Sequence, residues 1–186
     1  MRTSSVKRSM ARPATSAVEI RRVNPDDWPA VKAVRLAMLH DSPTAFVTTI
    51  DEALAHEDQV WIDRAVAGSR GEAQVTVLAF EGEKPVGMAV GLHKKRYDDP
   101  ILVIVSVFLE REFRGSGATD EMFRQIEEWG ALSGAKRSTL WVEDGNARAA
   151  GFYRKMGYAM TLDRAKLPND SGLWETRMEK VLTPGV

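Results

Sequence analysis

The chain has 186 residues, of which 44% are hydrophobic and 28% are charged, and this balance predicts one soluble globular domain. Lysine and arginine together number 26, as do aspartate and glutamate, so the sequence excludes a strongly basic protein built for nucleic acid or an anionic membrane. Cysteine is absent, which excludes disulfides, thiolate metal sites and an acyl-enzyme formed on a thiol.

Residues 1–17 differ in composition from the rest of the chain. They contain four basic residues and no acid, separated mainly by serine, threonine and alanine, which predicts a disordered basic arm. They lack the apolar run of about 7 to 15 residues that a secretory signal needs. No segment approaches the roughly 18 apolar residues of a membrane span. We therefore expect a cytoplasmic protein with a single domain over 18–182 and a short tail over 183–186.

The first part of this domain predicts one strand followed by two helices. The alternation in VEIRRV is typical of a half-buried strand. Asn24 and Pro25 then supply an N-cap and a proline at the first helical position, and Gly68 ends the second helix. The predicted elements are a strand over 18–23, a helix from Asn24 to about His40, a loop over 41–50 and a helix over about 51–67.

The rest of the domain alternates strands and helices. AQVTVLAFEG and KPVGMAVGL, joined at Gly82, predict a hairpin, and the polar run HKKRYDD after them predicts a solvated loop. One helical face is shared by Ala118, Met122, Ile126 and Trp129. A further helix is capped by Asn146. With strands over 101–109, 138–142, 158–164 and 173–181, the order is β-α-α-β-β-β-α-β-α-β-β, a mixed α/β fold.

The segment RGSGAT, from Arg114 to Thr119, lies between the most apolar strand and a helix. Such a turn exposes backbone N–H groups, and the helix N-terminus adds about half a positive charge. Gly115 and Gly117 let a phosphate approach without a Cβ, and Arg114 adds a cation. The arrangement suits a diphosphate, although an ordinary strand-to-helix turn has the same pattern.

Two nucleotide-binding motifs do not fit this segment. A Walker A loop ends in Gly-Lys-Ser/Thr, and GSGATD has no lysine. A dinucleotide fingerprint needs a third glycine, where this chain has Asp120. The anion is therefore expected at residues 114–119, outside either motif.

A second motif, NARAAGFYRKMGY over 146–158, is by itself typical of a capped amphipathic helix with Phe152 and Tyr153 in the core. RGSGAT at the end of one strand and this motif after the next strand together resemble the GNAT superfamily of acetyl-CoA-dependent N-acetyltransferases. That family has R/Q-x-x-G-x-G/A in the first place and N-x-x-A-x-x-x-Y-x-x-x-G-F/Y in the second. The resemblance implies a GNAT-like fold with a central splayed mixed sheet flanked by helices.

The resemblance also implies how acetyl-CoA would be bound, without a metal ion. Backbone amides would hold its pyrophosphate, and those of Val107, Phe108 and Leu109 would pair with the pantetheine arm and polarise the acetyl carbonyl. Asn146 would contact the cofactor near the pantetheine as well as cap its helix. The pyrophosphate segment consists of Arg114, Gly115, Ser116, Gly117, Ala118 and Thr119. Thr119 departs from the family, which has glycine or alanine there.

Tyr153 matches the family tyrosine that protonates the leaving thiolate, and a packing role for its ring is the alternative. The general base is left open, because the strand position where many relatives carry glutamate is Val103. Glu143, Glu110, His93 or a water chain could take the proton instead, with Glu143 our first candidate. His40, His56 and His93 do not have metal-ligand spacing, so we expect no metal site.

We therefore expect an enzyme that transfers acetyl from acetyl-CoA directly to a primary amine, on a small molecule or a peptide, within a ternary complex. The acceptor is expected near SPTAF, residues 42–46, and near residues 166–172. The resemblance makes a homodimer a common assembly. Two alternatives stay open: a non-catalytic acyl-CoA-binding or regulatory module, which Val103 favours, and a nucleotide-dependent oxidoreductase, which the missing third glycine disfavours.

Overall fold

The structure is a computed structural model, and it describes residues 17–96, 99–167 and 171–183. The arm expected over 1–17 therefore lies outside the described residues except for Ala17, as does the tail beyond Thr183. Within the described residues the chain forms a central sheet with helices on both faces.

Seven strands in the described part of the chain form one mixed sheet in the order β1-β2-β3-β4-β5-β7-β6. Neighbouring strands are antiparallel except β4 and β5, which are parallel. The last strand thus inserts between β5 and β6 instead of adding to the edge. The strands are β1 Glu19–Arg22, β2 Gln74–Glu81, β3 Lys84–Arg96, β4 Asp99–Leu109, β5 Arg137–Glu143, β6 Ala159–Lys166 and β7 Trp174–Val181.

The helices cover the two faces of this sheet and bury one apolar cluster on each. On one face α1 and α3 pack through residues such as Met38 and Trp61, which are fully buried. On the other face α4 and α5 pack through residues such as Phe123 and Tyr153. The helices are α1 Trp28–Asp41, α2 Ile50–Leu54, α3 Asp58–Arg70, α4 Ala118–Leu132 and α5 Ala147–Lys155. The predicted mixed α/β fold and its order are confirmed, apart from two local differences.

The second predicted helix, over about 51–67, is wrong in its extent, because it is two helices in the structure. Thr49 accepts a hydrogen bond from the Glu52 amide and starts α2, and Glu57 then has an extended ψ of 156° before α3 begins. The end of α3 also differs from the prediction. Gly68 lies inside the helix, buried against Thr76, and the left-handed Gly71, with φ of 68°, ends it.

The polar run HKKRYDD is not the predicted loop at the residues that the structure describes. Residues 93–96 continue β3, and Arg96 pairs with Asp99 at the start of β4. Tyr97 and Asp98 lie outside the described residues. Pairing with the apolar β4 extends the hairpin through this polar sequence, which shows tertiary context overriding local composition.

Candidate active site

The sheet opens between β4 and β5. These two strands pair only from Ile101 with Arg137 to Val103 with Thr139, and the Thr139 hydroxyl donates to the Leu102 carbonyl at 3.3 Å beside the last pair. Beyond it β4 pairs with β3 alone and β5 with β7 alone, among the residues described. The β5-facing edge of β4 over 104–109 is therefore left without a strand partner, and its backbone groups can pair with an extended ligand.

A bulge lies inside this open stretch of β4. Ser106 has φ of 54°, and the register with β3 shifts between Val90 and Met88, so that β4 carries one extra residue there. A bulge of this kind bends the strand and turns its backbone groups away from the ladder. It directly precedes Val107, Phe108 and Leu109, where the sequence predicts the contacts to the pantetheine arm.

Beyond β4, the predicted pyrophosphate segment forms a turn at the N-terminus of α4. Gly115 has φ of 86° and Gly117 has φ of 89°, and a Cβ added to either would meet nothing within 4 Å. The glycines are therefore needed for their left-handed backbone, and the space beside them is open. Gly117 is the N-cap of α4 and has no side chain to satisfy the first helical amides.

Several amides of this turn are free for an anion. Ser116 N–H bonds to the Phe113 carbonyl, and Ala118 N–H bonds to the Ser116 hydroxyl at 3.3 Å. By contrast, the N–H groups of Gly115, Gly117 and Thr119 have no hydrogen-bond acceptor among the described residues. Three unpaired amides at a helix N-terminus suit a phosphate group.

The Arg114 side chain is not the free cation that the sequence suggests. Its guanidinium bonds to the Asp41 carboxylate at 2.9 Å and to the Leu109 carbonyl at 2.8 Å. Burial acts to raise the pKa of Asp41, but hydrogen bonds from Arg114, Arg111 and Ser42 outweigh it and lower that pKa. Arg111 also bonds to Asp41 at 2.9 Å, so two cations share one carboxylate. Arg114 thereby ties the end of α1 to the turn, and the cluster keeps a net positive charge.

The open edge of β4 and the glycine turn both lie within a segment that matches the sequence model of a known protein family. Residues 35–158 match the sequence model described as the acetyltransferase (GNAT) family. The chain belongs to the GNAT family of acetyltransferases. The recognition made from the two motifs is thus confirmed, and the chain is an N-acetyltransferase of a family that uses acetyl-CoA.

Solved acetyltransferase structures share this fold at low sequence identity. An acetyltransferase of the GNAT family from Streptococcus pneumoniae is 19% identical, with a TM-score of 0.72, and the match covers 90% of this chain and 100% of that one. PaiA N-acetyltransferase from Thermoplasma acidophilum, in complex with coenzyme A, is 15% identical at a TM-score of 0.69, covering 89% and 99%. YncA from Salmonella typhimurium, with its cofactor acetyl-CoA, is 16% identical at 0.72, covering 92% and 97%. No curated protein matches the chain.

Tyr153, the predicted acid of this GNAT domain, lies on α5 with its ring in an aromatic cluster. Its ring contacts those of Phe123, Phe152 and Tyr158, at centroid separations of 5.6 to 6.3 Å. Its hydroxyl makes no hydrogen bond with the described residues. Burial raises the pKa of Tyr153 to about 12, so the phenol keeps its proton at neutral pH. The ring thus packs in the core, and the hydroxyl is free to donate.

The neighbouring Tyr158 is tied down by hydrogen bonds. Its hydroxyl lies 2.6 Å from the Ser138 hydroxyl and donates to Glu127 at 2.8 Å. Glu127 also binds Lys180 at 2.6 Å. Burial and the nearby Glu127 carboxylate raise the pKa of Tyr158. Of the two tyrosines at the end of the second motif, only Tyr153 has a hydroxyl without a partner among the described residues.

Asn146 and Glu143 both support the turn between β5 and α5. The Asn146 side chain accepts the Ala149 amide at 3.0 Å, which confirms its predicted role as N-cap. Glu143 accepts the Gly145 amide at 2.7 Å. Val142 is buried in the α4–α5 cluster, so Glu143, the next residue of β5, lies on the opposite face with α1 and α3.

Glu175 is a carboxylate that the sequence reading missed. It lies directly opposite Glu143 in the β5–β7 register, so the two side chains share a sheet face. Burial raises the pKa of Glu175, which favours proton uptake. The pairing of these two acids depends on β7 inserting next to β5, and no local pattern around WETRM predicts it.

The two other base candidates, Glu110 and His93, have different surroundings. Glu110 forms an ion pair with Lys84 at 2.6 Å. His93 packs edge-on against Trp129 of α4, and its Nε2 is buried with no hydrogen-bond partner among the described residues. Among the described residues, no group of His, Asp and Glu side chains is arranged to hold a metal ion. Nor does any described helix combine the length and apolar character that crossing a membrane requires.

Proposed function

We propose that this protein transfers the acetyl group of acetyl-CoA directly to a primary amine in a ternary complex. One observation carries the proposal: the edge of β4 over 104–109, which has no strand partner among the described residues, is followed after one 3-10 turn, Arg111–Phe113, by the glycine turn at the N-terminus of α4. An extended arm bearing a diphosphate needs these two features in this order. The absence of cysteine agrees with direct attack by the amine, without a thioester on the enzyme.

The residues around the opening fit acetyl-CoA as a ligand. The free amides of Gly115, Gly117 and Thr119 would hold its pyrophosphate, and the backbone of Val107, Phe108 and Leu109 its pantetheine arm. When bound, acetyl-CoA supplies the activated acetyl thioester. A backbone N–H of Val107 to Leu109 would stabilise the developing oxyanion, because a fixed amide in a dry cleft needs no reorganisation. The Thr119 hydroxyl makes no hydrogen bond with the described residues, so it is also free to donate to a phosphate.

Two proton transfers complete the proposal. The Tyr153 hydroxyl, protonated at neutral pH because of its raised pKa, would donate to the departing thiolate. The Glu143–Glu175 pair would take the proton of the amine, directly or through water. Burial raises the pKa of Glu175, which favours proton uptake at this carboxylate. Val103, which lies at the last β4–β5 pair, has no part in this transfer.

The experiment is a thiol-release assay with acetyl-CoA and a panel of amines, run with wild type and Tyr153→Phe. We expect release that depends on the amine and decreases in the variant. Calorimetric titration with acetyl-CoA, NAD and ATP accompanies it. Acetyl-CoA binding without release for any amine would indicate the non-catalytic module, and NAD binding without acetyl-CoA binding would indicate the oxidoreductase. The homodimer and the cytoplasmic location stay predictions.

A further inference from the structure

A pocket of about 240 Å³ lies between the sheet and the helices α1 and α3. Its lining mixes apolar residues such as Met88 with polar ones, among them two arginines, Arg35 of α1 and Arg64 of α3. It reaches β4 at Ser106, the bulge residue next to Val107. The pocket therefore approaches the proposed transfer centre from the α1–α3 face, which is also the face of Glu143 and Glu175.

The Arg35 side chain at the wall of this pocket has few hydrogen-bond partners. Its Nε atom is buried and unpaired in the described part of the chain. The guanidinium is held only weakly, by contacts of 3.4 Å to the Ser106 hydroxyl and the Met38 sulfur. Because buried donors in proteins are almost always paired, this guanidinium gains a stronger partner when it turns towards an acceptor in the pocket.

The two arginines of the pocket, Arg35 half-buried and Arg64 exposed, also have no carboxylate partner among the described residues. Burial, followed by repulsion from Arg64, lowers the pKa of Arg35, and burial lowers the pKa of Arg64. No described carboxylate forms an ion pair with either guanidinium; each instead lies over an aromatic ring, Arg35 on Phe46 at 5.1 Å and Arg64 on Trp61 at 4.7 Å. Both stay charged, because the guanidinium does not lose its proton in proteins. Phe46 belongs to SPTAF, the segment where the sequence predicts the acceptor.

Building on the proposed function, we infer that the acceptor is a small amine that carries a carboxylate, which binds Arg35 and Arg64 in this pocket. A planar carboxylate can accept two parallel hydrogen bonds from a guanidinium. The volume corresponds to about eight water molecules at roughly 30 Å³ each and lies below the range of about 300–1,000 Å³ for drug-sized ligands. An amino acid fits this size, whereas a folded protein surface would have to present one extended residue.

The test compares standard L-α-amino acids, β-alanine and γ-aminobutyrate, each beside its own carboxamide, as acceptors in thiol release. We expect the accepted amines to be carboxylates, with kcat/KM at least about tenfold above that of the matching carboxamide, since the charge-assisted bonds are lost in the amide. The preference should disappear in Arg35→Met and Arg64→Met. Arg70→Met is the control, because Arg70, like Arg64, is exposed on helix α3 but lies outside the pocket lining.

Thermal unfolding and calorimetry provide readouts that do not need turnover. Replacing Arg35 by Met removes a half-buried cation that has no carboxylate partner among the described residues, so the melting temperature should stay equal or rise. Calorimetric titration of the same carboxylates, with and without coenzyme A, should show binding to wild type that weakens at least tenfold in Arg35→Met. Binding that is equal for carboxylates and carboxamides, or no carboxylate binding at all, would overturn the inference. If carboxamides and carboxylates are acetylated equally, the inference about the acceptor fails and the proposed acetyl transfer stands. If carboxylates bind at Arg35 and no amine is acetylated, the proposed acetyl transfer fails and the carboxylate site stands.

Discussion

Removing the hydroxyl of Tyr153 tests whether that group is the acid or only part of the core. In Tyr153→Phe the ring stays among Phe123, Phe152 and Tyr158, and no hydrogen bond to a described residue is lost. We expect stability to change by less than about 0.5 kcal/mol. A lost general acid lowers the rate by about 10² to 10⁴, and the lower end corresponds to about 2.7 kcal/mol of barrier.

Tyr158→Phe is the matched control, because it removes the same atom from the neighbouring tyrosine of the same aromatic cluster. Its hydroxyl bonds to Ser138, which is fully buried, and to Glu127. Leaving these partners unpaired should cost about 2 kcal/mol and lower the melting temperature by about 4–8 °C, with kcat changed less than about threefold. The two variants should therefore separate activity from stability.

The assays are steady-state thiol release between pH 6 and 11 and thermal unfolding of the same preparations. Because the pKa of Tyr153 is raised to about 12, wild type should show no loss of kcat from Tyr153 ionisation near pH 10. A fall in kcat of less than about threefold for Tyr153→Phe, or equal losses of activity in both variants, would refute the role of this hydroxyl as acid.

Three further predictions concern the glycine turn and its anchor. Gly117→Ala and Gly134→Ala both place a Cβ at a left-handed position with open space, so each should lose about 1–2 kcal/mol of stability in thermal unfolding. Only Gly117→Ala should also bind acetyl-CoA at least about tenfold more weakly in calorimetry. Equal affinities of the two variants would contradict the turn as a phosphate site. Asp41→Asn should lose about 1 kcal/mol at pH 7 in urea unfolding. Because the pKa of Asp41 is lowered, its contribution is present above about pH 4 and is lost as the pH falls, so a gap that stays constant down to pH 3 would refute the ion pairs with Arg114. Thr119→Ala should change acetyl-CoA affinity by less than about tenfold, or about 1.4 kcal/mol, and a larger loss in the same titration would make Thr119 a ligand.

Local chemistry determined much of this protein from sequence alone. The cap at Asn146, the hairpin turn at Gly82 and the left-handed positions at Gly115 and Gly117 depend on neighbouring residues only, so their patterns can be recognised without a fold. The two motifs RGSGAT and NARAAGFYRKMGY also sufficed for the family, because each keeps its residues within one turn and one helix. Local propensity was less reliable at two places. Extended backbone at Glu57 divides the helix predicted over 51–67, and pairing with β4 makes the polar residues 93–96 part of strand β3.

Tertiary structure alone decided which distant residues meet. Glu175 lies opposite Glu143 because β7 inserts between β5 and β6, and the ligand opening exists because β4 and β5 part after three residue pairs. Arg35 and Arg64 lie on separate helices and look like ordinary surface cations in the sequence. Only the packing of α1 and α3 on one sheet face places these two arginines around a single pocket. Neither has a carboxylate partner there among the described residues. No local sequence pattern encodes this long-range geometry.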